Sequence, residues 1–313
     1  MINMAIMGCG NIAKRVANGI IYSDGLLYVA ASRDIEKAMA FANKYPTCKA
    51  MTYEEVLKDE KVDLIYISTI NPTHYALIKA CLDAHKNVIC EKPMLKNRAQ
   101  IDEVFALAKE NHCFLMEAHK TCFTSLNTLL RDKAEEKIGR IEKIYGQYCG
   151  LADISHLHAW NVYEPDMGGC FFDIGVYPIC FANLYAHSPI QSVNIRHMEK
   201  GEYPTDIDVT ADIVYENGIK ATVRSSWIDG SENKGILYGE RGRIEIVNFW
   251  KGTKALVYSD EGEEEILVEQ DSDFTGEINE AIRCIEDGQL ESRIMSHKAS
   301  NEIALVLETL KKQ

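Results

Sequence analysis

Apolar residues along this chain follow two rhythms, and the first fills its opening third. Met4 to Met7 is a short unbroken apolar run, the pattern of a strand buried on both faces. It breaks at Gly8, and from Asn11 onward Ile12, Val16, Gly19 and Ile20 recur on one side of a helix. The alternation continues with a strand at Leu26–Ala31 and a helix carrying Ala38, Phe41 and Ala42. A short helix at Tyr53–Lys58 precedes a buried strand at Val62–Ser68, and a helix at His74–Ala84 precedes a strand at Asn87–Cys90. A helix at Asn97–Glu110 and a strand at Cys113–Ala118 complete the series. Two turns stand out: Thr69–His74, where Pro72 biases Asn71 away from helical geometry, and Glu91-Lys92-Pro93. Strands alternating with helices of this length predict a parallel, doubly wound sheet. Its ligand crevice lies at the carboxyl ends of the strands, where these turns fall.

Beyond residue 120 the pattern changes. A helix at Ser125–Lys137 leads into strand-like runs at Ile141–Cys149, Ile190–His197, Ile207–Tyr215, Lys220–Trp227, Gly235–Tyr238, Arg243–Phe249, Lys254–Tyr258 and Glu265–Val268. Tight polar turns such as Glu216-Asn217-Gly218 and Glu240-Arg241-Gly242 join many of them, which requires antiparallel neighbours. Helices at Phe274–Glu286 and His297–Lys311 close the chain, and the acidic run Asp260–Glu265 reads as a solvated hairpin tip. The expected boundary falls at 119/120: a domain over 1–119 with the parallel sheet, and an α+β domain over 120–313 with a large, mostly antiparallel open sheet. An uncovered apolar face on that sheet would be a liability, so a homodimer or higher homo-oligomer is expected.

Composition narrows the function. The 313 residues carry 34 basic and 47 acidic side chains, a net charge of −13, which argues against nucleic-acid and anionic-membrane partners. No apolar stretch reaches membrane-spanning length. The chain enters a strand directly, so no signal peptide is expected. Ten cysteines lie singly, several within apolar runs such as Val88-Ile89-Cys90, the distribution of reduced thiols in a cytoplasmic protein. The pair His156 and His158 lacks clustered carboxylates or thiols, so no metal site is expected.

The candidate chemistry begins at Gly8-Cys9-Gly10-Asn11-Ile12-Ala13. Between a strand and a helix this is the G-x-G-x-x-A dinucleotide fingerprint. Gly8 permits the tight turn, Gly10 lets backbone approach a pyrophosphate, and Ala13 keeps helix near strand. The first N–H groups of the helix, with Asn11 and Ile12, then face the phosphates. At the tip of the second strand stand Ser32 and Arg33, with Lys37 one turn on. An acidic residue at this tip would favour NAD, whereas an arginine accommodates the 2′-phosphate of NADP. Asp34 is read as the N-cap of the following helix, so the expected cofactor is NADP, with NAD the alternative if Asp34 instead takes the ribose.

Three further stretches join this fingerprint: Thr69-Ile70-Asn71-Pro72-Thr73-His74, Glu91-Lys92-Pro93, and Gly168-Gly169-Cys170-Phe171-Phe172-Asp173-Ile174-Gly175-Val176-Tyr177. Together they resemble the Gfo/Idh/MocA family of NAD(P)-dependent oxidoreductases over nearly the whole chain. The resemblance implies a Rossmann domain followed by a substrate-binding and oligomerisation domain. Cofactor contacts are then expected from Gly8, Gly10, Asn11, Ile12, Ser32, Arg33, Lys37, Thr69, Asn71, His74, Glu91 and Lys92. It places Lys92 against both the cofactor ribose and a substrate hydroxyl, with Asp173 and Tyr177 facing the same pocket.

Much of the family carries histidine at the last of these positions. Tyrosine there resembles the branch of dihydrodiol dehydrogenase, xylose dehydrogenase and glucose–fructose oxidoreductase. Asp173 and Tyr177, four apart, share one side of a helix. A Lys92 ammonium beside that phenol would favour the phenolate, so that Tyr177 takes a hydroxyl proton. The segment Glu117-Ala118-His119-Lys120-Thr121-Cys122-Phe123 departs from the family, with cysteine in an arginine slot and Lys120 as an added cation. Lys120, His156 and Trp160, with His158, are candidates for contact with a small polyhydroxylated substrate, and Pro93 is a candidate cis-proline.

The expected activity is hydride transfer between NADP and a secondary alcohol of a sugar, polyol or cyclic trans-diol. The alternatives are an NAD-dependent inositol or aldose dehydrogenase and a non-catalytic NADP-binding sensor.

Overall fold

The computed structural model describes residues 1–157 and 159–313, giving the backbone alone for Ala159 and Trp160. The chain forms two compact units: Met1–Phe123 with Asp271–Asn301, and Thr124–Gln270 with Glu302–Gln313.

The first unit is built on six parallel strands: β1 (Ile2–Met7), β2 (Gly25–Ala31), β3 (Lys49–Met51), β4 (Leu64–Ile67), β5 (Asn87–Glu91) and β6 (Leu115–Ala118). Their order is β3-β2-β1-β4-β5-β6, the doubly wound arrangement that reverses between β1 and β4. Every residue of β4 and β6 is buried, Glu117 of β6 included. Helices α1 (Asn11–Ile21), α2 (Ile35–Ala42), α3 (Tyr53–Lys58), α4 (His74–Asp83) and α5 (Arg98–Glu110) connect the strands. Three of their starts follow side-chain chemistry. Asp34 caps α2 by accepting the Glu36 N–H, Thr52 and Glu55 form a capping box on α3, and Asn97 caps α5. The three-residue β3 carries too little pattern to be found in the sequence.

Helix α9 (Thr275–Glu286) follows the long second-unit segment yet packs in the first unit. The physical reason is a groove. Gly19 presents no side chain on the apolar face of α1, and a Cβ there would lie 2.5 Å from Phe274 Cβ and 3.1 Å from Ile278 Cδ1. Gly25 leaves a matching gap beneath Ile282. The buried face of α9 thus fills space that the opening βα unit cannot fill itself.

The second unit holds α6 (Ser125–Ile138), the short α7 (Ala159–Tyr163), an eight-stranded sheet, and α8 (Val176–Ala186). The strands are β7 (Ile141–Cys149), β8 (Ile190–Glu199), β9 (Asp208–Tyr215), β10 (Lys220–Ser226), β11 (Lys234–Gly239), β12 (Gly242–Val247), β13 (Lys254–Ser259) and β14 (Gly262–Leu267). The order is β14-β13-β12-β11-β7-β10-β9-β8, antiparallel throughout except for the parallel β7–β10 pair. Glu263, Glu264 and Glu265 lie in edge strand β14, so the acidic run is only partly a hairpin tip. Charges along a free edge keep it from pairing with other chains.

Helix α8 covers one face of the sheet. It lies so close that a Cβ on Gly146 would come within 2.8 Å of Pro178, and one on Gly235 within 2.5 Å of Phe181. The opposite face is mixed, with charged and polar pairs set among Ile236, Leu256 and tyrosine side chains. There Arg224 pairs with Asp208 and Asp229, Thr222 donates to Asp212, and the Arg243 guanidinium lies 4.1 Å from the centre of the Tyr258 ring.

Candidate active site

The first unit brings the fingerprint to the point where its sheet reverses. Gly8 follows β1 with φ +105°, and a Cβ there would lie 2.9 Å from the Ser68 carbonyl oxygen. Glycine is therefore required twice, by conformation and by the approach of the turn after β4. Ser68, missed in the sequence because it ends an apolar run, donates its hydroxyl to the Gly8 carbonyl at 2.8 Å. Gly10 stands at the start of α1 without a capping side chain, and a Cβ there would meet nothing within 4 Å. The bend and the leading N–H groups beside Asn11 and Ile12 thus have room for an anionic group.

At the tip of β2, buried Ser32 donates its N–H to the Met51 carbonyl, and its hydroxyl accepts the Asp34 N–H. Asp34 is committed to α2: Oδ1 accepts from Glu36, and Oδ2 is 3.9 Å from Lys37 Nζ. Arg33 is exposed beside half-buried Tyr53, whose hydroxyl is pushed up by burial and drawn back by Arg33.

The turn after β5 is held from both ends by buried side chains. Glu91 lies beneath it, and Oε2 accepts the Lys92 N–H at 3.3 Å. The Lys92–Pro93 bond is cis. Both backbone groups of the next residue are engaged: the Met94 N–H donates to Glu117 Oε1 at 2.9 Å, and the Met94 carbonyl lies 3.1 Å from His74 Nδ1. The other His74 nitrogen is 3.2 Å from the Thr69 carbonyl. His74 is fully buried, so its ring ties the two turns together and offers no face to a ligand. Burial lowers its basicity. Burial pushes Glu117 up, but the His119 ring 3.3 Å away and the Met94 N–H outweigh it and hold the carboxyl low. Thr69 is half-buried and Asn71 buried on the turn after β4.

Lys120 differs from its expected role. Its side chain is buried and its ammonium is paired with Asp273, which also binds Arg15 at 2.5 Å. The ammonium also lies 4.9 Å from the centre of the Phe274 ring. It therefore ties the segment leading into α9 to the first unit. The sequence could not reveal this, since the partner is 153 positions away.

The second unit carries Asp173 and Tyr177. The chain enters their turn through Gly169, with φ +104° and so little room that a Cβ would fall 2.2 Å from Asp206 Oδ1. Buried Asp206 fixes the start of this turn, its carboxylate accepting the Phe171 N–H at 2.7 Å and its carbonyl the Cys170 N–H at 2.8 Å. Residues Phe171–Gly175 form a wide π-helical turn that runs into α8, with Asp173 in the turn and Tyr177 in the first turn of α8. Such turns recur at functional sites. Both side chains are half-buried.

Tyr177 belongs to an aromatic cluster that pattern reading did not find. Its ring centre is 5.5 Å from Tyr148 and 6.2 Å from Trp250, and the latter two stack at 3.9 Å with 13° between planes. Tyr148 alternates with Gly146 on the α8 side of β7, the one sequence signal that could have placed it. His156 sits in an exposed 3-10 turn (Ile154–His156), with Nδ1 2.7 Å from Asp153. His158 and the Trp160 side chain lie outside the described residues. All ten cysteines are free thiols, and eight are buried. No helix among the described residues is long and apolar enough to cross a membrane.

Comparison with known proteins gives a consistent result. Residues 2–119 match the model of an oxidoreductase family with an NAD-binding Rossmann fold, and residues 129–245 match a GFO/IDH/MocA C-terminal domain. Trans-1,2-dihydrobenzene-1,2-diol dehydrogenase from Xenopus laevis is 32% identical over 301 residues, covering 91% of this chain and 88% of that protein. The protein of that name from Homo sapiens is 29% identical, covering 93% and 89%. Among solved structures, an aldose-aldose oxidoreductase from Caulobacter crescentus shares the fold with a TM-score of 0.88 at 19% identity, covering 99% of this chain and 96% of that one. A 3-ketoreductase from Actinomadura kijaniata, crystallised with NADP and TDP-benzene, has a TM-score of 0.83 at 23% identity, covering 97% and 95%.

Proposed function

The chain belongs to the GFO/IDH/MocA oxidoreductase family, and from that membership we propose that it is an NADP-dependent dehydrogenase of a secondary alcohol in a sugar, polyol or cyclic trans-diol. The observation that carries the cofactor assignment is Asp34. With its carboxylate spent on the α2 cap and on Lys37, the acidic group that would select a free 2′-hydroxyl is occupied. Ser32, Arg33 and Lys37 are then the groups for a 2′-phosphate. The residues present fit the dinucleotide: Gly8 and Gly10 leave space for backbone approach, with Asn11 and Ile12 at the phosphates. Thr69, Asn71, Glu91 and Lys92 line the nicotinamide side.

Bound NADP supplies the hydride acceptor, and NADPH the donor in reverse. Tyr177 takes the proton of the substrate hydroxyl. By the family pattern, Lys92 and Asp173 are the groups that orient that hydroxyl. The stacked Tyr148 and Trp250 beside the Tyr177 ring offer flat apolar faces suited to the carbon face of a sugar ring or cyclic diol. The relatives named as dihydrodiol dehydrogenases support the diol as a first substrate to try. We place it in a reducing cytoplasm, a setting supported by its free, mostly buried thiols, and family membership favours a homodimer or higher homo-oligomer.

The test monitors nicotinamide absorbance near ~340 nm with trans-diols, aldoses and polyols, each with NADP and NAD. Turnover with NADP on one of these classes is expected. Turnover with NAD alone would return the protein to an inositol or aldose dehydrogenase reading, and cofactor binding without turnover to a sensor.

A further inference from the structure

A chain of buried oxygens runs beneath the Lys92 turn, within the first unit. The Tyr66 side chain, on β4, is fully buried, and its hydroxyl oxygen lies 3.0 Å from Glu91 Oε1 and 2.8 Å from Glu277 Oε1. Glu277 comes from the first turn of α9, 211 residues after Tyr66. A phenol has one proton and can donate it to only one carboxyl group. The second contact, at hydrogen-bond length, needs a proton from the carboxyl side, because two lone-pair oxygens without one repel.

The surroundings decide which carboxyl group carries that proton. Burial pushes Glu91 up, but the Lys92 cation, the Tyr66 hydroxyl and the Lys120 cation each favour its charged form, and Oε2 accepts the Lys92 N–H. Glu277 faces Tyr66 from β4, Glu91 from β5, Lys120 from the turn after β6, and Asp273 from the segment before α9. Of these only Lys120 is cationic, and it is paired with Asp273. Glu277 has no exposed surface, and its Oε2 meets no hydrogen-bond donor among the described residues.

We propose that Glu277 is held as a neutral carboxylic acid donating to Tyr66, so that Tyr66 donates to Glu91 and, of these three groups, Glu91 alone carries the negative charge. Glu277 and Tyr66 are then positioning residues for the Lys92 turn. Burial, followed by the charge of Glu91, pushes Glu277 well above the usual carboxyl range, in the same direction. The positioning role rests on the assignment of Lys92 to the active site; the proton on Glu277 does not.

Stability against pH tests the proton directly. In the unfolded chain Glu277 ionises near pH ~4.3, while the folded protein keeps it protonated, so folding takes up a proton. A raised folded pKa contributes stability that is complete at low pH and is lost as pH rises. Glu277→Gln, an isosteric neutral donor, lacks this loss. The Tm difference should therefore drift toward the variant by about 2 °C per pH unit between pH 5 and 8. A flat difference, or the drift in Glu91→Gln in place of Glu277→Gln, overturns the proposal.

A second measurement needs no substitution at Glu277. The folded wild type at pH 7 should show the infrared carbonyl band of a protonated carboxyl group, displaced in Tyr66→Phe. Absence of such a band, or a band that Tyr66→Phe leaves in place, overturns the proposal.

For the positioning role, Glu277→Leu should lower kcat/KM about tenfold, and Glu277→Gln should restore most of it. Equal losses in both would remove that role. The stability and infrared measurements use no substrate, so failure to oxidise any alcohol would overturn the dehydrogenase reading and leave the proton assignment standing.

Discussion

The two units fix their functional side chains by opposite means. In the first, ionisable side chains are taken into the interior: Glu91, Glu117, Glu277, Lys120 and His74 are all buried around the turns that follow β4, β5 and β6. Each is held by a hydrogen bond or ion pair, and most partners are distant in sequence. In the second, Tyr177 is set by shape. It rides on a π-helical turn fixed by one buried carboxylate and lies against stacked aromatic rings. Buried hydrogen bonds and ion pairs hold one geometry, whereas aromatic packing gives a surface that adapts to ligands presenting flat apolar faces.

The comparison is broken most severely at the glycine bend. Gly8→Val places a branched side chain at positive φ and within 2.9 Å of the Ser68 carbonyl. NADP affinity should fall on the order of a hundredfold or more, measured by calorimetric titration; retained affinity would remove the bend from the cofactor site. On the aromatic side, Trp250→Ala should raise substrate KM about tenfold or more through lost stacking and packing. NADP affinity should stay unchanged, and an equal loss of NADP affinity would contradict the division of labour. Arg33→Ala should weaken NADP about tenfold while sparing NAD, which sharpens the claim that Asp34 is unavailable. Lys120→Met leaves Asp273 with Arg15 alone, so thermal unfolding should show a loss of about 1–3 kcal/mol. Substrate KM should be unaffected if Lys120 only ties the α9 segment in place.

The legibility of the sequence divides along the same line. Adjacent residues sufficed for the fingerprint, the Asp34 cap and the Lys92 turn, because strand, bend and helix start are local events with local chemistry. The parallel, doubly wound sheet followed from the alternation of apolar runs, though not its strand order or the short β3. Hidden were the features that depend on distant partners. Tyr66 reads as one more apolar strand residue, Lys120 as a free cation near a ligand, and Glu277 as a charged helix start. Only folding brings 66, 91 and 277 together, or 120 and 273. His74 was assigned to the cofactor on the strength of its turn, and its burial between two carbonyl groups shows how a motif residue can serve the backbone instead. The Tyr148–Trp250 stack was missed because Trp250 comes after a strand with no pattern to single it out. Asp206 acts through Gly169, whose bare Cα admits its carboxylate.

The central claim is that Tyr177 supplies the acid–base step while the first unit alone binds the dinucleotide. One preparation of Tyr177→Phe tests it, assayed for NADP affinity and for turnover of the wild type's best alcohol. The expected result is a loss in kcat of about 10²–10⁴-fold with NADP affinity within twofold of wild type; turnover that survives the loss of the phenol, or affinity that falls with it, would contradict the account.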